Sequence, residues 1–268
     1  MRRFAPSLLG LLLLIPTPAP AQDAPELNAT YEMYAGGLHV AEVSASFSLT
    51  PMHYAIRLAY HTTGLVNLFR HGYQMNRVDG VWNRNLPQPE QFEGSGVWRG
   101  DDNATLIDYV NGQPVVERLV SPPADKREPV PLALQANSVD SLSALALLIH
   151  RVQTTGRCEA SVHAFDGRRA SEISARTVGE EILEPSGLST FTGRAVRCDF
   201  VGQMLAGFLD RSGPADRKPL HGSAWLATVI AGAPPVPVRM DFETRWFGEA
   251  HMYLTQLASV PRREVAVH

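Results

Sequence analysis

The sequence predicts a mainly β fold, an antiparallel sheet with one buried helix near residues 138–152. Three observations carry this. Apolar and polar residues alternate with period two in several segments, as on a strand with one buried face. Two tight-turn dipeptides, Asn111-Gly112 and Asp166-Gly167, each join two strand-like runs. A single stretch repeats its apolar residues at helical spacing.

The first element is a leader. Arg2 and Arg3 precede the apolar stretch Leu8 to Ile15, and the small-residue triplet Ala19-Pro20-Ala21 follows. This three-part pattern predicts a signal peptide over residues 1–21. The apolar run is far shorter than the roughly 20 residues that cross a bilayer. No later segment reaches that length, so no transmembrane segment is expected after cleavage. Residues 22–268 are expected to form one β-rich periplasmic domain.

Val43, Ala45, Phe47 and Leu49 alternate with Glu42, Ser44, Ser46 and Ser48. Beyond Pro51, Tyr54, Ile56, Leu58 and Tyr60 repeat the pattern, with Arg57 and His61 opposite. The short link between them predicts an antiparallel pair. Thr105 to Val110 and Val115 to Val120 flank Asn111-Gly112, whose residues supply the positive φ angles of a tight hairpin. Pro122 to Pro131 reads as a connection. In the helix, Leu142, Leu145, Ala146 and Ile149 form one face, while Leu147 and Leu148 extend the apolar surface round it. Such a helix should be buried. Asn137 or Ser138 is the expected cap, and Asp140 suits the positive end of the dipole. Val162 to Phe165 and Arg168 to Ile173 flank Asp166-Gly167 as a second hairpin. Thr190 to Val201, Trp225 to Ile230, Val236 to Phe242 and Ala250 to Leu257 complete the strands, with Gly248 as a turn residue.

Composition narrows the function. The chain has 268 residues, a formal charge of −3, 44% hydrophobic and 19% charged residues. These values exclude a disordered chain and a polytopic membrane protein. A nucleic-acid binder would show a basic excess, and loss of Arg2 and Arg3 makes the mature chain more acidic still. Cys158 and Cys198 are the two cysteines. In an exported chain they most simply form one disulfide. Two buried free thiols or a redox pair are the alternatives, the latter without a C-x-x-C motif.

The motifs of catalysis are missing. There is no G-x-S-x-G, no phosphate-cradling P-loop and no H-E-x-x-H. His39, His53, His61 and His71 have no ligand spacing, so no metal and no cofactor is expected. The doublets Asp101-Asp102 and Glu180-Glu181 read as solvated turns. Arg168 and Arg169 read as exposed arginines at a hairpin tip or as a contact for an anion or headgroup. Trp82, Trp98, Trp225 and Trp246 either line an apolar cavity or fill a core.

Several short pieces then carry a resemblance. They are Tyr31-Glu32-Met33-Tyr34-Ala35-Gly36-Gly37-Leu38, Thr63-Gly64-Leu65-Val66 and Val139-Asp140-Ser141-Leu142-Ser143-Ala144-Leu145. Cys158 before Phe165-Asp166-Gly167-Arg168-Arg169, Gly193 before Cys198, Trp225-Leu226-Ala227 and Pro235-Val236-Pro237-Val238-Arg239 follow in order. In these the chain resembles the DUF3108 family of exported bacterial proteins of unassigned function. The resemblance implies an antiparallel sheet curled into an open barrel or spiral, and it supplies no catalytic residues.

The expected function is that of a non-catalytic periplasmic protein acting in cell-envelope maintenance through a partner. A carrier or sensor of a lipid or other apolar ligand is the second reading, with the helix as lid or plug. An enzyme with an unrecognised hydrolytic site is the third. An envelope protein or an apolar ligand is the expected partner, and no nucleic acid.

Overall fold

The computed structural model describes residues 25–260, apart from 65, 66, 68–70, 99 and 245–247. The leader and Trp246 lie outside the described residues.

Thirteen strands form one antiparallel sheet. The first seven are β1 (Glu26–Ala35), β2 (Leu38–Leu49), β3 (His53–Thr62), β4 (Gly72–Asn83), β5 (Leu86–Trp98), β6 (Asp101–Val110) and β7 (Gln113–Val120). Two helices follow, α1 (Leu132–Gln135) and α2 (Ser141–Thr155). Then come β8 (Ala160–Phe165), β9 (Ala170–Leu183), β10 (Gly193–Ala206), β11 (Leu220–Ala227), β12 (Val236–Thr244) and β13 (Gly248–Val260). Strands adjacent in sequence pair with one another, and β1 pairs with β13 to join the two meanders. The sheet curls until β7 and β8 face each other across one seam, so the barrel is nearly closed.

Alternation decides which face is inside. Phe47, Ile56, Val78, Phe92 and Ile107 stand in register across β2 to β6, and all are buried. Each such side chain removed from water contributes roughly 1.5–3 kcal/mol. Val43, Ala45 and Leu49 lie on the same inner face, as the period of two predicts. Asn111 (φ 53°) and Gly112 (φ 75°) make the β6–β7 turn, and Gly248 (φ 71°) opens β13.

Several sequence expectations are corrected. The strand expected from Thr190 starts at Gly193, because the Thr190 amide donates to Leu254 O instead of to a neighbour on β9. The strand expected to reach Ile230 ends at Ala227, where an Ile230–Ala233 turn leads into Pro234-Pro235. The acidic doublets are strand residues, not turns: Asp101 and Asp102 open β6, and Glu180 and Glu181 lie in β9.

Helix α2 is capped by Asp140, not by Asn137 or Ser138. The Asp140 carboxylate accepts from the Leu142 and Ser143 amides at 2.9 Å each. Asn137 is in a left-handed turn (φ 56°) and the Ser138 hydroxyl donates to Gln135 O, so neither is free to cap. Gly156 (φ 69°) ends the helix. Apolar on nearly all sides, α2 plugs the curl and packs against β3, β4, β5 and β8.

The seam is spanned by the connection from Pro122 to Pro131. Glu128 N–H donates to Phe208 O and Asp210 N–H to Lys126 O. Val139 pairs in parallel with Ala164 and covers part of the outer edge of β8. Cys158 and Cys198 form a disulfide with 5.7 Å between their Cα atoms, which settles the alternatives and ties the start of β8 to β10. Among the described residues no helix is long and apolar enough to cross a membrane.

Candidate functional site

The β8–β9 hairpin folds inward instead of projecting outward. A Cβ on Gly167 (φ 89°) would lie 2.9 Å from Thr105 Cγ2 and 3.7 Å from Leu119 Cδ1, so the tip sits against the inner side of β6 and β7. Behind it, Gly207 (φ 82°) approaches so closely that a Cβ there would lie 2.0 Å from the Arg168 carbonyl oxygen. Both positions need glycine, for backbone conformation and for space. The sequence reading of a hairpin is right; of its two arginines Arg169 is exposed, as read, whereas Arg168 is half-buried and held at the seam.

Asp166 organises this tip. Its carboxylate accepts from the Arg168 and Arg169 amides at 3.0 and 2.8 Å and from the Arg169 Nε–H at 2.7 Å. The Arg169 charge and these hydrogen bonds outweigh burial and hold its pKa below the ordinary carboxylate range. Arg168 reaches across to Asp125 on the seam connection, where Arg127 also bonds the same carboxylate at 2.7 Å. Side-chain exposure is only 20% for Arg168, 15% for Asp125 and 17% for Arg127. Among the described residues the Nε–H groups of Arg127 and Arg168 are buried without a partner. Burial pushes the Arg168 pKa down, and the nearby carboxylates only partly oppose this.

Two chambers meet at Ser141, Asp166 and Arg169. One, about 470 Å3, is the more polar: Gln74, Asn76, Asn103 and Thr105 line it with Arg168 and Arg169, beside Phe92 and Trp98. The other, about 550 Å3, is apolar: Ile173, Phe200, Met204, Leu220, Met240 and Phe242 line it. Register places Phe200 and Met240 on the face of buried Ala224, so this wall is the inner face of the sheet. All six side chains are half-buried, because α2 fills the opposite half of the curl.

The sequence did not bring these walls together. Arg168 and Arg169 are visible in it, but Asp125, the acceptor of Arg168, and the facing wall of β4 to β6 are not. The tryptophans divide. Trp98 lines the polar chamber, and Trp82 stacks on His150 with ring centroids 4.2 Å apart. Trp225 lies on the outer face between the guanidiniums of Arg197 and Arg239, 5.2 and 4.6 Å from the ring centroid.

Two other clusters bear on chemistry. Asp140, Ser143 and Tyr54 form a hydrogen-bonded chain, with Ser143 donating to Asp140 and Tyr54 donating to Ser143. All three are buried within the core, so no substrate meets them. Burial raises the Asp140 pKa to about 6. On the outer face, ligand atoms of Asp241, Glu249 and His251 lie within 4.8 Å of one another, a possible set of metal ligands that the histidine spacing did not reveal. Asp241, however, already accepts from Arg239 at 2.6 and 3.1 Å and contacts His251 Nδ1 at 2.9 Å. A cation there would have to displace the guanidinium.

No match is found among curated proteins. Among solved structures the chain is similar to a crystal structure titled as a beta-barrel-like protein of domain of unknown function DUF1849 from Brucella abortus. The TM-score is 0.52 at 10% identity, over 90% of this chain and 100% of that one, a likeness of fold alone. The DUF3108 family, described as a protein of unknown function, matches residues 30–255. With most of its length matched and the resemblance of its motifs borne out, the chain belongs to the DUF3108 family.

Proposed function

We propose that this is an exported, non-catalytic binding protein, a carrier or sensor that holds an apolar ligand inside the curled sheet. One observation carries the reading: six half-buried apolar side chains surround an open cavity of about 550 Å3 on the inner face. Apolar surface left on a concave face is the usual lining of a small-molecule site, and the volume lies within the roughly 300–1,000 Å3 of such sites. The leader pattern in residues 1–21 supports export, as does the disulfide, a bond that persists in oxidising compartments. An envelope role follows from that location.

Action through a protein partner is the second reading, and β7 favours it. Its Val115 and Val120 are exposed, and among the described residues its outer edge has no strand beside it. An uncovered edge strand is a template for pairing with another chain.

The test is native mass spectrometry with lipid extraction, on protein purified from its own periplasm and then incubated with N-phenyl-1-naphthylamine. One bound apolar molecule per chain, lost in Met204→Glu, is the expected result. A clean apo mass and no probe fluorescence would overturn the carrier reading and direct crosslinking to β7.

A further inference from the structure

Among the described residues the polar chamber holds a charge imbalance. Asp125 is one carboxylate serving two guanidiniums, Arg127 and Arg168, at side-chain exposures of 15–20%. The group therefore carries a net positive charge in a largely enclosed place, where an uncompensated charge is costly. Arg169 is matched by Asp166 and does not change the balance. Arg211 also lines the chamber and Asp101 lies on its far wall, so among the described residues the lining totals four arginines and three aspartates. Its other walls offer the amides of Gln74, Asn76 and Asn103.

We infer that the ligand is an anionic amphiphile, with its acidic group in the polar chamber beside Arg127 and Arg168 and its chain along the apolar wall. Continuity supports this orientation. Arg169 lines both chambers, so a molecule anchored at the arginines passes directly to Phe200, Met204 and Met240. An added anion would neutralise the Arg127–Asp125–Arg168 group. It would also draw on guanidinium donors, which suit carboxylate and phosphate alike. The direction of the Arg168 pKa agrees, since its charge is only partly compensated. The inference rests on the carrier reading above and adds the chemical class of the cargo.

Four probes separate the possibilities on the unmodified protein, read by isothermal titration calorimetry and native mass spectrometry. Oleate and oleyl alcohol share a chain and differ in charge. Inorganic phosphate has the charge without the chain. Phosphatidylglycerol vesicles offer the charge as a lipid headgroup. Oleate binding at least tenfold more tightly than oleyl alcohol, with phosphate far weaker than either, is the expected pattern. Extraction of phosphatidylglycerol as well as oleate would assign a headgroup, and oleate alone a free acid. Equal affinity for oleate and oleyl alcohol would overturn the inference and leave the carrier reading standing. Phosphate binding as tightly as oleate would sever the anion site from the chain site and also overturn it. Failure of all four would remove both readings. Arg168→Gln should erase the preference for oleate over the alcohol while keeping the alcohol's affinity, and Arg168→Lys should restore part of it. Unchanged discrimination in folded Arg168→Gln would count against the assigned anchor.

Discussion

Arg168, on the inward hairpin tip, is held by Asp125 on the seam connection, 43 residues earlier in the chain. This pair joins the two edges of the curled sheet. Removing one partner of a buried pair costs up to roughly 3–5 kcal/mol, and partial exposure lowers that figure here. Asp125→Asn should cost about 2 kcal/mol, a fall of roughly 4–8 °C in Tm for a chain of this size. Adding Arg168→Gln to Asp125→Asn should recover part of the loss. Thermal unfolding of the two single variants and the double variant measures the coupling, and strict additivity would show that the pair does not hold the seam.

Gly207 tests whether the tip must lie where it does. Gly207→Ala combines a positive φ with a methyl group 2.0 Å from a backbone carbonyl oxygen. The expected loss exceeds about 2 kcal/mol, since neither backbone can yield without moving the hairpin. Gly187→Ala, where the added methyl meets nothing within 4 Å among the described residues, should change stability by less than about 0.5 kcal/mol. Similar denaturation midpoints for the two variants would contradict the packing described.

Asp140 gives a pH dependence with a definite sign. Burial raises its pKa to about 6 from the 3.8 of a free aspartate, so the folded state holds this proton more tightly than the unfolded chain does. Its contribution to stability is fully present below about pH 4 and is lost as pH rises to about 6. At 1.36 kcal/mol per unit, the change is on the order of 3 kcal/mol. Asp140→Asn removes the titration, so it should gain on the wild type by about that amount over this interval. Urea unfolding of both proteins at pH 4, 5 and 6 reads the difference, and parallel curves would rule the assignment out.

The disulfide closes a separation of 40 residues and fastens the start of an edge strand. Chain-entropy reasoning sets its stabilisation at up to roughly 4 kcal/mol. A Cys158→Ala, Cys198→Ala double variant should melt lower by several degrees and retain ligand binding, because neither cysteine lines the chambers. Intact mass after alkylation without reductant should show no modified thiol in the unmutated protein, and two alkylated cysteines would refute the bond in solution.

Legibility in the sequence followed the range of the interactions. The runs Val43 to Leu49 and Tyr54 to Tyr60 were readable because alternation is a local record of one buried face. The Asn111-Gly112 hairpin was readable because its turn chemistry sits in two adjacent residues. The β4–β5 hairpin was not. Its turn uses Arg84 and Asn85 at positive φ (50° and 63°), without glycine, and β5 carries Pro87, Pro89, Gly94 and Gly96. There the twelve residue pairs between the two strands outweigh poor local propensity. The helix is legible in kind, but its cap lies three residues beyond Asn137 and two beyond Ser138. Asp140 wins because its carboxylate reaches two helix amides while its neighbours are spent elsewhere.

By itself the sequence determined the strand-dominated class, the buried helix and a cysteine pair free to bond. It also marked the arginines of the second hairpin tip, because each of these is written in composition or short-range pattern. Only the tertiary structure decided that this tip turns inward, that one aspartate serves two arginines, and that α2 fills half of the curl. These depend on contacts between segments tens of residues apart, and on how far a sheet of thirteen strands bends before its edges meet. Local pattern cannot encode that curvature, since twist and closure are properties of the paired strands together.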